Sequence, residues 1–522
     1  MHYIIGSSAS AVAAASALLD RGVKVTILDV GFELEPERAA VVSRLAALPK
    51  EKWNQASVRV LRENILARVS GVADKCVYGS DYPFRGKDIS PSVACQGAKM
   101  YRSLARGGLT NIWGGSILPF RSQDMRDWPF MIDMLEPHYR SVLDLIEHAM
   151  QGEDLSDLYP RYNGRVRPFK LSGQALAFLN DLESNKRALA QNGIQFGRSR
   201  LAVRFPENAG GVGCSYCGMC LYGCPYDHIY SARQTLDKLI GRPGFQYHQG
   251  ILVERVEEGD GGVRIHARAL TDGSRTQFKG SRCLLAAGVV STTAILLASI
   301  EAYDRVVSIR HSDHFQLPML RYASTRGVME EELHTLTQLY LEIEDTAISE
   351  NTIHLQVYTY NDLYLVAMKS LFGPLAGILR GPIRSMLERL IFVQGFLHSD
   401  QSSHIEVVLN RNDGLHLHGF RNPAAKRAMR QVVRKIFRDR SRLRALPLAP
   451  LASVSVPGGG NHSGGTFPMR AKPHGFETDV LGIPCGFSRV HAIDSTVFPN
   501  IAASTMLLTV MANAHRIASS IE

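Results

Sequence analysis

The chain begins with the stretch MHYIIGSSASAVAAASALLDRGVKVTILD, residues 1–29. A buried strand over His2–Ile5 and a tight turn come first. An Ala-rich helix over 12–21, which Gly22 ends, and a second apolar strand over Val23–Leu28 follow. Small residues in such a turn let the backbone approach a pyrophosphate, which the helix N-terminus attracts. The stretch therefore predicts a Rossmann-type βαβ unit that binds a dinucleotide.

The glycine fingerprint of this unit is incomplete. Gly6 occupies the first glycine position, whereas Ser8 and Ala11 occupy the other two. Asp29 follows the second strand at about the spacing of an acidic residue that binds a ribose hydroxyl. Because a lone degenerate fingerprint is weak, an ordinary βαβ unit without a nucleotide is the alternative interpretation.

Length and charge limit the class of protein. A chain of 522 residues exceeds one ordinary hydrophobic core, so two interleaved domains are expected. The net charge of +10 favours anionic partners: a nucleotide, a phosphorylated substrate or an anionic membrane surface. No dense Lys/Arg run with interleaved aromatic residues is present, which argues against nucleic acid as a partner. No secretory signal precedes His2, so a cytoplasmic location is expected.

Four of the eight cysteines form a C-x2-C-x2-C-x3-C-P motif. They are Cys214, Cys217, Cys220 and Cys224, and Pro225 follows. Bacterial ferredoxins bind an iron–sulfur cluster with this run. Zinc and a vestigial thiol cluster are the alternatives, but a zinc ribbon usually needs two C-x2-C knuckles separated by a longer stretch, which this chain lacks. The motif therefore predicts an iron–sulfur cluster.

The number of iron atoms in the predicted cluster stays open. In two-cluster ferredoxins the fourth cysteine of the run serves the other cluster, and this chain has no second run. Cys224 therefore either completes a 4Fe-4S cluster or leaves a 3Fe-4S cluster with three ligands. Cys76, Cys95 and Cys485 are more distant candidate ligands. Cys283 heads an apolar strand and is expected to be a buried core thiol.

Further informative segments lie in the middle and toward the C-terminus. They are the Gly-rich run 106–115, the strand at 283–291 that ends in small residues, the loop 461–466, and the segment 492–506 before a final helix. With the N-terminal unit and the cysteine motif, they resemble the glucose–methanol–choline (GMC) oxidoreductase family. Within the family, the chain is most similar to the pyranose-oxidase and fructose-dehydrogenase branch.

The resemblance implies an α/β fold. A Rossmann-type FAD-binding domain, assembled from separated segments, is expected at 1–120, 205–305 and 455–522, with the cysteine motif inside it. A substrate domain with an antiparallel β-sheet and helices is expected at 121–204 and 306–454.

The resemblance also implies a set of FAD contacts. The expected contacts are Gly6, Ser8 and Ala11 at the pyrophosphate, Asp29 at the ribose, Val253 at the adenine, Thr110, Asn111, Gly114 and Gly115 along the flavin, and Asp494, Thr505 and Met506 at the ribitol and ring. Some family members attach FAD through a histidine just before the tryptophan of the Gly-rich run. Ile112 occupies that position, so FAD is expected to be noncovalent.

His462 matches the family's catalytic histidine in its His-x-x-Gly-Thr context. Alcohol oxidation removes a hydroxyl proton while hydride leaves the carbon, and histidine can take that proton near neutral pH. A capping or core histidine is the alternative. The family's second catalytic position, usually His or Asn, falls on Thr505, whose hydroxyl can hydrogen-bond a substrate oxygen but is no base. Asn461 and the Asp313–His314 pair are further candidates.

The expected reaction is oxidation of a secondary alcohol on a sugar or sugar-like substrate, with a lipid-linked sugar as one option. Relatives with a cluster near the flavin pass electrons to external acceptors, so electrons are expected to leave through the cluster. A redox-neutral flavin-dependent epimerase of a sugar carbinol is one alternative. A non-catalytic flavin and iron–sulfur redox protein is the other.

The segment Leu363–Leu397 is unusually apolar. Gly373-Pro374 and Gly381-Pro382 interrupt it, and its charges are mostly basic, which excludes a plain membrane span. It predicts two short amphipathic helices on a surface, with peripheral contact to the inner face of a membrane as one interpretation. A lid or a buried helical hairpin on the substrate domain is the other.

Overall fold

The computed structural model describes residues 1–63, 76–86, 89, 91–150, 154–163, 167–207, 211–259 and 261–522. The helices are α1 (Ala9–Asp20), α2 (Pro36–Ala46), α3 (Gln55–Arg62), α4 (Glu136–Leu145), α5 (Gly173–Glu183), α6 (Lys186–Gln191), α7 (Ala232–Ile240), α8 (Val289–Ser299), α9 (Asp362–Phe372), α10 (Arg380–Leu387), α11 (Pro423–Arg438), α12 (Arg440–Leu443) and α13 (Leu507–Ser520). The strands are β1 (His2–Ile5), β2 (Val25–Leu28), β3 (Val93–Gln96), β4 (Ile194–Arg198), β5 (Phe245–His248), β6 (Ile251–Gly259), β7 (Gly262–Ala269), β8 (Arg275–Gly280), β9 (Arg282–Leu285), β10 (Val306–His311), β11 (His314–Arg321), β12 (Leu339–Ile343), β13 (Ile353–Tyr358), β14 (Leu390–Phe396), β15 (His404–Asn410), β16 (Gly414–Phe420), β17 (Ala445–Pro447), β18 (Ser453–Val454), β19 (Ser463–Gly464) and β20 (Val490–Ala492).

A parallel sheet of order β20-β9-β1-β2-β5 forms the centre of the half that contains the N-terminal βαβ unit. Every residue of β1 and β2 is buried, as expected for a parallel sheet covered on both faces. Every residue of α1 except Asp20 is buried, because its Ala and Ser side chains let it pack closely between the sheet and α13. The antiparallel sheet β6-β7-β8 and helix α8 lie beside this layer.

A second, mostly antiparallel sheet forms the other half of the molecule. Its order is β17-β11-β14-β13-β12-β4, and β18 also pairs with β11. Helices α5 and α11 pack their apolar residues on it in a separate core. A mixed sheet of order β19-β10-β15-β16-β3 draws strands from ranges that the sequence assigns to both domains.

The elements of the βαβ unit lie close to their predicted positions. The first helix begins three residues before the predicted position 12, and the second strand begins at Val25 rather than Val23. Cys283 is fully buried, as predicted. Helix α4 packs on α13, in the half that contains the βαβ unit, although its residues fall in the range predicted for the substrate domain.

The segment Leu363–Leu397 is only partly helical. Helices α9 and α10 are present, but 390–396 is strand β14, which pairs with β11 and β13 in the middle of the large sheet. The expectation of surface helices is therefore wrong for these residues, because Leu390–Phe396 begins with an apolar run and none of its residues is exposed. Within the described residues, no helix is long and apolar enough to cross a membrane.

Candidate functional site

A cavity of about 750 Å³ lies between the two large sheets. Its volume is within the range of about 300–1,000 Å³ typical of ligand pockets. One wall is the turn between β1 and α1 with the loop around 99–116, and the opposite wall is one face of the antiparallel sheet. The loops before β19 and before α13 close a third side. The cavity therefore joins the dinucleotide unit to the candidate catalytic loop.

The N-terminus of α1 opens directly into this cavity. Gly6 has a φ of +91°, and a Cβ there would lie 2.9 Å from the carbonyl oxygen of Ala286 and from Cα of Ala287. The Ser8 hydroxyl donates to the Ala286 carbonyl at 2.7 Å and does not cap the helix. The first turn carries no acidic residue. The first N–H groups of α1 are therefore available to bind an anion. Only glycine fits at position 6, where the turn passes close to the backbone of 286–287.

Asp29 is buried at the end of β2. Its Oδ2 accepts hydrogen bonds from the hydroxyls of Ser7 and, at 3.0 Å, of Tyr247. Burial raises the pKa of Asp29 to about 6, because the two hydroxyls only partly replace the lost water. The carboxylate lines the cavity and still offers a lone pair to a ribose hydroxyl.

The Gly-rich run 106–115 forms the wall beside Ser8. The Thr110 hydroxyl donates to the Gly107 carbonyl at 2.6 Å and accepts from the amide of Ala232 at 2.9 Å. The amide nitrogen of Asn111 donates back to the carbonyls of Arg106 and Gly108, so the side chain holds the loop together. Asn111 does not line the cavity, whereas Thr110 does.

Asp494 and Thr505 lie on the side of the cavity closed by the C-terminal segments. Asp494 accepts from the amide of Gly288 at 2.8 Å and the hydroxyl of Thr292 at 2.6 Å, so it fixes the start of α8. Burial raises the pKa of Asp494. The Thr505 oxygen accepts from the amide of Leu118 at 2.8 Å, which leaves the hydroxyl hydrogen to donate to another group.

His462 enters the cavity from the loop that precedes β19. Its ring stacks on Phe396, with centroids 5.0 Å apart and planes at 24°. Its Nδ1 has no hydrogen-bond partner among the described residues. Burial, with smaller contributions from the nearby His354 and His314, lowers the pKa of His462 to about 3. The imidazole is therefore neutral at pH 7 and can accept a proton on an unprotonated nitrogen.

The other catalytic candidates are placed differently. His314 lines the cavity, and its Nδ1 lies 2.8 Å from the Ser455 hydroxyl. Burial lowers the pKa of His314 to about 4. Asp313 lies outside the cavity lining, since its Oδ2 accepts from the amide and the hydroxyl of Ser403. Asn461 lines the cavity in a left-handed conformation with φ +58°.

The antiparallel sheet contributes polar residues that the sequence analysis missed. Gln316, Gln394 and Gln356 stand opposite one another on β11, β14 and β13 and all line the cavity. Beyond them, His354 lies buried against Glu342, with Nδ1 and Oε1 2.6 Å apart. The sequence carries a pattern that could have indicated this polar face. It is His-x-Gln-x-Tyr at 354–358, in which polar residues alternate with apolar ones along a strand.

The four motif cysteines surround one small enclosed space, which they line together with His334. Burial and the neighbouring Cys220 thiol raise the pKa of Cys224 to about 12, and burial likewise raises those of Cys214 and Cys217. Within the described part of the chain, no three His, Cys, Asp or Glu residues are grouped so that they could hold a metal ion.

The predicted site residues thus fall into two sets. Those that line the cavity are Gly6, Ser8, Asp29, Thr110, Gly114, Val253, His462, Asp494, Thr505 and Met506. Those that lie behind its walls are Ala11, Asn111 and Gly115. Ala11 is fully buried in the first turn of α1, so only its backbone could serve a pyrophosphate.

Known proteins resemble this chain in structure but not in sequence. No protein-family model and no curated protein matches the sequence. Among solved structures, pyridoxine 4-oxidase from Mesorbium loti superposes with a TM-score of 0.61 at 13% sequence identity. The match covers 99% of this chain and 98% of that protein. This likeness shows the fold, a mixed α/β fold with a parallel sheet beside an antiparallel sheet, and confirms the predicted fold class.

Proposed function

We propose that this protein is an FAD-dependent oxidoreductase that oxidises a secondary alcohol. One observation carries the proposal: the neutral His462 faces the same cavity as Gly6 and Asp29 of the dinucleotide unit. A redox cofactor and a proton acceptor in one cavity are what alcohol oxidation requires. The shared fold with an oxidase supports this reaction class.

The residues of the cavity fit FAD. The N-terminus of α1 and the Gly6 backbone would hold the pyrophosphate, and Asp29 would bind the adenosine ribose. Val253 would meet the adenine, while Thr110, Gly114 and Met506 would contact the flavin. FAD bound there would supply a hydride acceptor. The attachment is noncovalent in this proposal, because Ile112 has no nucleophilic atom.

His462 and Thr505 have different roles toward the substrate hydroxyl. The stack on Phe396 fixes the His462 ring, whose neutral nitrogen takes the hydroxyl proton. The Leu118 amide fixes the Thr505 oxygen, so that the Thr505 hydroxyl donates to the alcohol oxygen and orients it. His462 is therefore the base, and Thr505 is a positioning residue.

We further propose an iron–sulfur cluster at Cys214, Cys217, Cys220 and Cys224. Buried thiols around one space are unfavourable as bare thiolates, and bound iron would stabilise the charged form. The motif spacing favours a cluster over zinc, because a zinc ribbon usually has two C-x2-C knuckles separated by a longer stretch, whereas this chain has one C-x2-C-x2-C-x3-C-P run.

A cluster at this position would provide an exit for electrons to an external acceptor. A cleft of about 400 Å³ is lined both by Cys220 and Cys224 and by Thr110 and Trp113. The last two residues also line the proposed FAD cavity. Thr110 and Trp113 therefore border both proposed cofactor sites.

Purification without oxygen, followed by flavin, iron and sulfide analysis, tests both cofactors. The proposal expects one FAD per chain, released intact by acid, together with iron and acid-labile sulfide. Stoichiometric zinc without sulfide contradicts the cluster alone. A protein that takes up no FAD contradicts the function itself.

The substrate in our proposal is a sugar carried on a lipid, presented at an anionic membrane. Leu375 and Ile378, between α9 and α10, are 57% and 81% exposed, which is unusual for large apolar residues. Lys369 and Arg380 flank them on the surface. Helix α9 also reaches the cavity, through Leu363, so a lipid surface at this segment would lie close to the active site.

A further inference from the structure

Three glutamines form a row across the sheet wall of the cavity. Gln394 on β14 stands opposite Gln316 on β11 and opposite Gln356 on β13. Residues directly opposite in antiparallel strands project from the same face, with Cβ atoms about 4.5–5.5 Å apart. The three carboxamides therefore belong to one face of the sheet, and all three residues line the cavity.

The three carboxamides are not equivalent. The Gln356 oxygen accepts from the Tyr358 hydroxyl at 2.8 Å, and its nitrogen lies 3.3 Å from Nε2 of His354. The carboxamide of Gln356 therefore already has hydrogen-bond partners within the protein. Among the described residues, no hydrogen bond is made by the side chain of Gln316 or Gln394, although both are half-buried. Half-buried carboxamides without protein partners are satisfied by water or by a ligand.

The row lies one step away from the proposed base. Phe396 stands two residues beyond Gln394 on the same strand and the same face, and His462 stacks on Phe396. Two residues along a strand span about 7 Å. A hexose ring bridges that separation, so one hydroxyl can meet His462 while others meet Gln316 and Gln394.

The sheet wall carries no Asp, Glu, Lys or Arg within the described lining. Its members are His314, Gln316, Leu336, Gln356, Tyr358, Phe392, Gln394 and Phe396. The histidine on this wall, His314, is held neutral by burial, which lowers its pKa to about 4. A phosphate or carboxylate on this side of a substrate would be desolvated without a cation, which is costly.

We propose that Gln316 and Gln394 bind the hydroxyl groups of a neutral polyhydroxylated ring and so select uncharged sugars. A carboxamide donates and accepts, as a hydroxyl does, and two adjacent carboxamides suit a vicinal pair of hydroxyls. This inference rests on the proposed function and adds the substrate class and the residues that recognise it.

Replacing both residues by Met removes the hydrogen-bonding groups at nearly constant volume. Binding of methyl hexosides to the FAD-loaded protein is measured by calorimetry, with hexose 6-phosphates and hexuronates as charged probes. Loss of two neutral hydrogen bonds at about 1 kcal/mol each predicts binding about 10- to 100-fold weaker in Q316M/Q394M. Gln277→Met on the exposed strand β8, outside the cavity, is the matched control and leaves affinity unchanged.

Two results overturn the inference: unchanged affinity for hexosides in Q316M/Q394M, or tighter binding of the charged probes by the wild-type protein. If the double variant does not fold, Gln394→Asn alone must weaken hexoside binding. Failure of the proposed function looks different, because hexosides then bind but reduce no flavin. If cyclohexanol reduces the flavin and no hexoside binds, the proposed function stands and this inference falls.

Discussion

The substitution Gly6→Ala tests the proposed dinucleotide site at a close backbone contact. An added Cβ would lie 2.9 Å from two backbone atoms of the segment 286–287, whereas ordinary contacts begin at 3.4 Å. That backbone must move by about 0.5 Å, and an Ala at φ +91° costs a further ~1–3 kcal/mol. We expect the variant to fold with reduced stability and to lose FAD, because the anion-binding N-terminus of α1 shifts with the turn.

A second glycine separates strain from crowding. Gly22, at the end of α1, has φ +75° and no atom within 4 Å of an added Cβ. Gly22→Ala should therefore cost about 1–2 kcal/mol of stability and keep FAD. Melting with and without FAD reads out binding, since a ligand at 100 times its Kd stabilises by about 2.7 kcal/mol. If Gly6→Ala shows the wild-type rise in Tm with FAD, the assignment of this turn to the pyrophosphate is refuted.

Three further predictions concern the cluster, the acid stability and the surface. Cys217→Ser should remove iron, sulfide and the broad visible absorbance beneath the flavin bands while FAD stays bound. Burial lowers the pKa of His462 from 6.5 to about 3. The neutral ring therefore contributes fully to the free energy of unfolding above pH 6.5, and this contribution is lost as the pH falls toward 3. The free energy of unfolding from urea titrations should therefore fall more steeply between pH 7 and pH 5 for the wild type than for His462→Ala. The slopes differ by at most about 1.4 kcal/mol per pH unit, and by less in proportion to the part of the ring that faces the cavity. Asp29, with its pKa raised to about 6, acts oppositely and equally in both proteins. Sedimentation with anionic liposomes at low salt should carry down the wild type but less of Lys369→Gln/Arg380→Gln, and a wild type that stays in the supernatant refutes membrane contact.

The contacts of the basic residues in this segment decide which of them suit the liposome test. Arg384 forms ion pairs with Glu330 and Glu388, and Arg389 donates to the Tyr322 carbonyl. Neither guanidinium can turn to a lipid headgroup without breaking these bonds. Lys369 and Arg380 are exposed, so they are the better pair to replace.

Local features were predictable from the sequence. The turn at Gly6 and the acidic Asp29 depend on neighbouring residues in one βαβ unit, whose geometry follows from short-range rules. Strand β14 was missed because Leu390–Phe396 continues an apolar run, and periodicity alone cannot distinguish a buried strand from a buried helix.

Features that depend on register were not predictable. Gln316 and Gln394 are far apart in sequence and meet only because β11 and β14 pair with these residues opposite. The role of Asn111 was also beyond the sequence, since its amide could as well have faced the cavity as held the loop. Such outcomes are decided by tertiary packing, which a single sequence does not display.

The central claim is that His462 takes the substrate proton in an FAD-dependent oxidation. Its most direct test is reduction of the bound flavin by candidate sugars without oxygen, in the wild type, His462→Ala and Thr505→Ala. Loss of a general base costs about 10²–10⁴-fold in rate, whereas loss of an orienting hydroxyl costs less. We expect His462→Ala to keep its flavin and to slow reduction by this factor, and Thr505→Ala to slow it less. Reduction at the wild-type rate in His462→Ala, or a larger loss in Thr505→Ala, would contradict it.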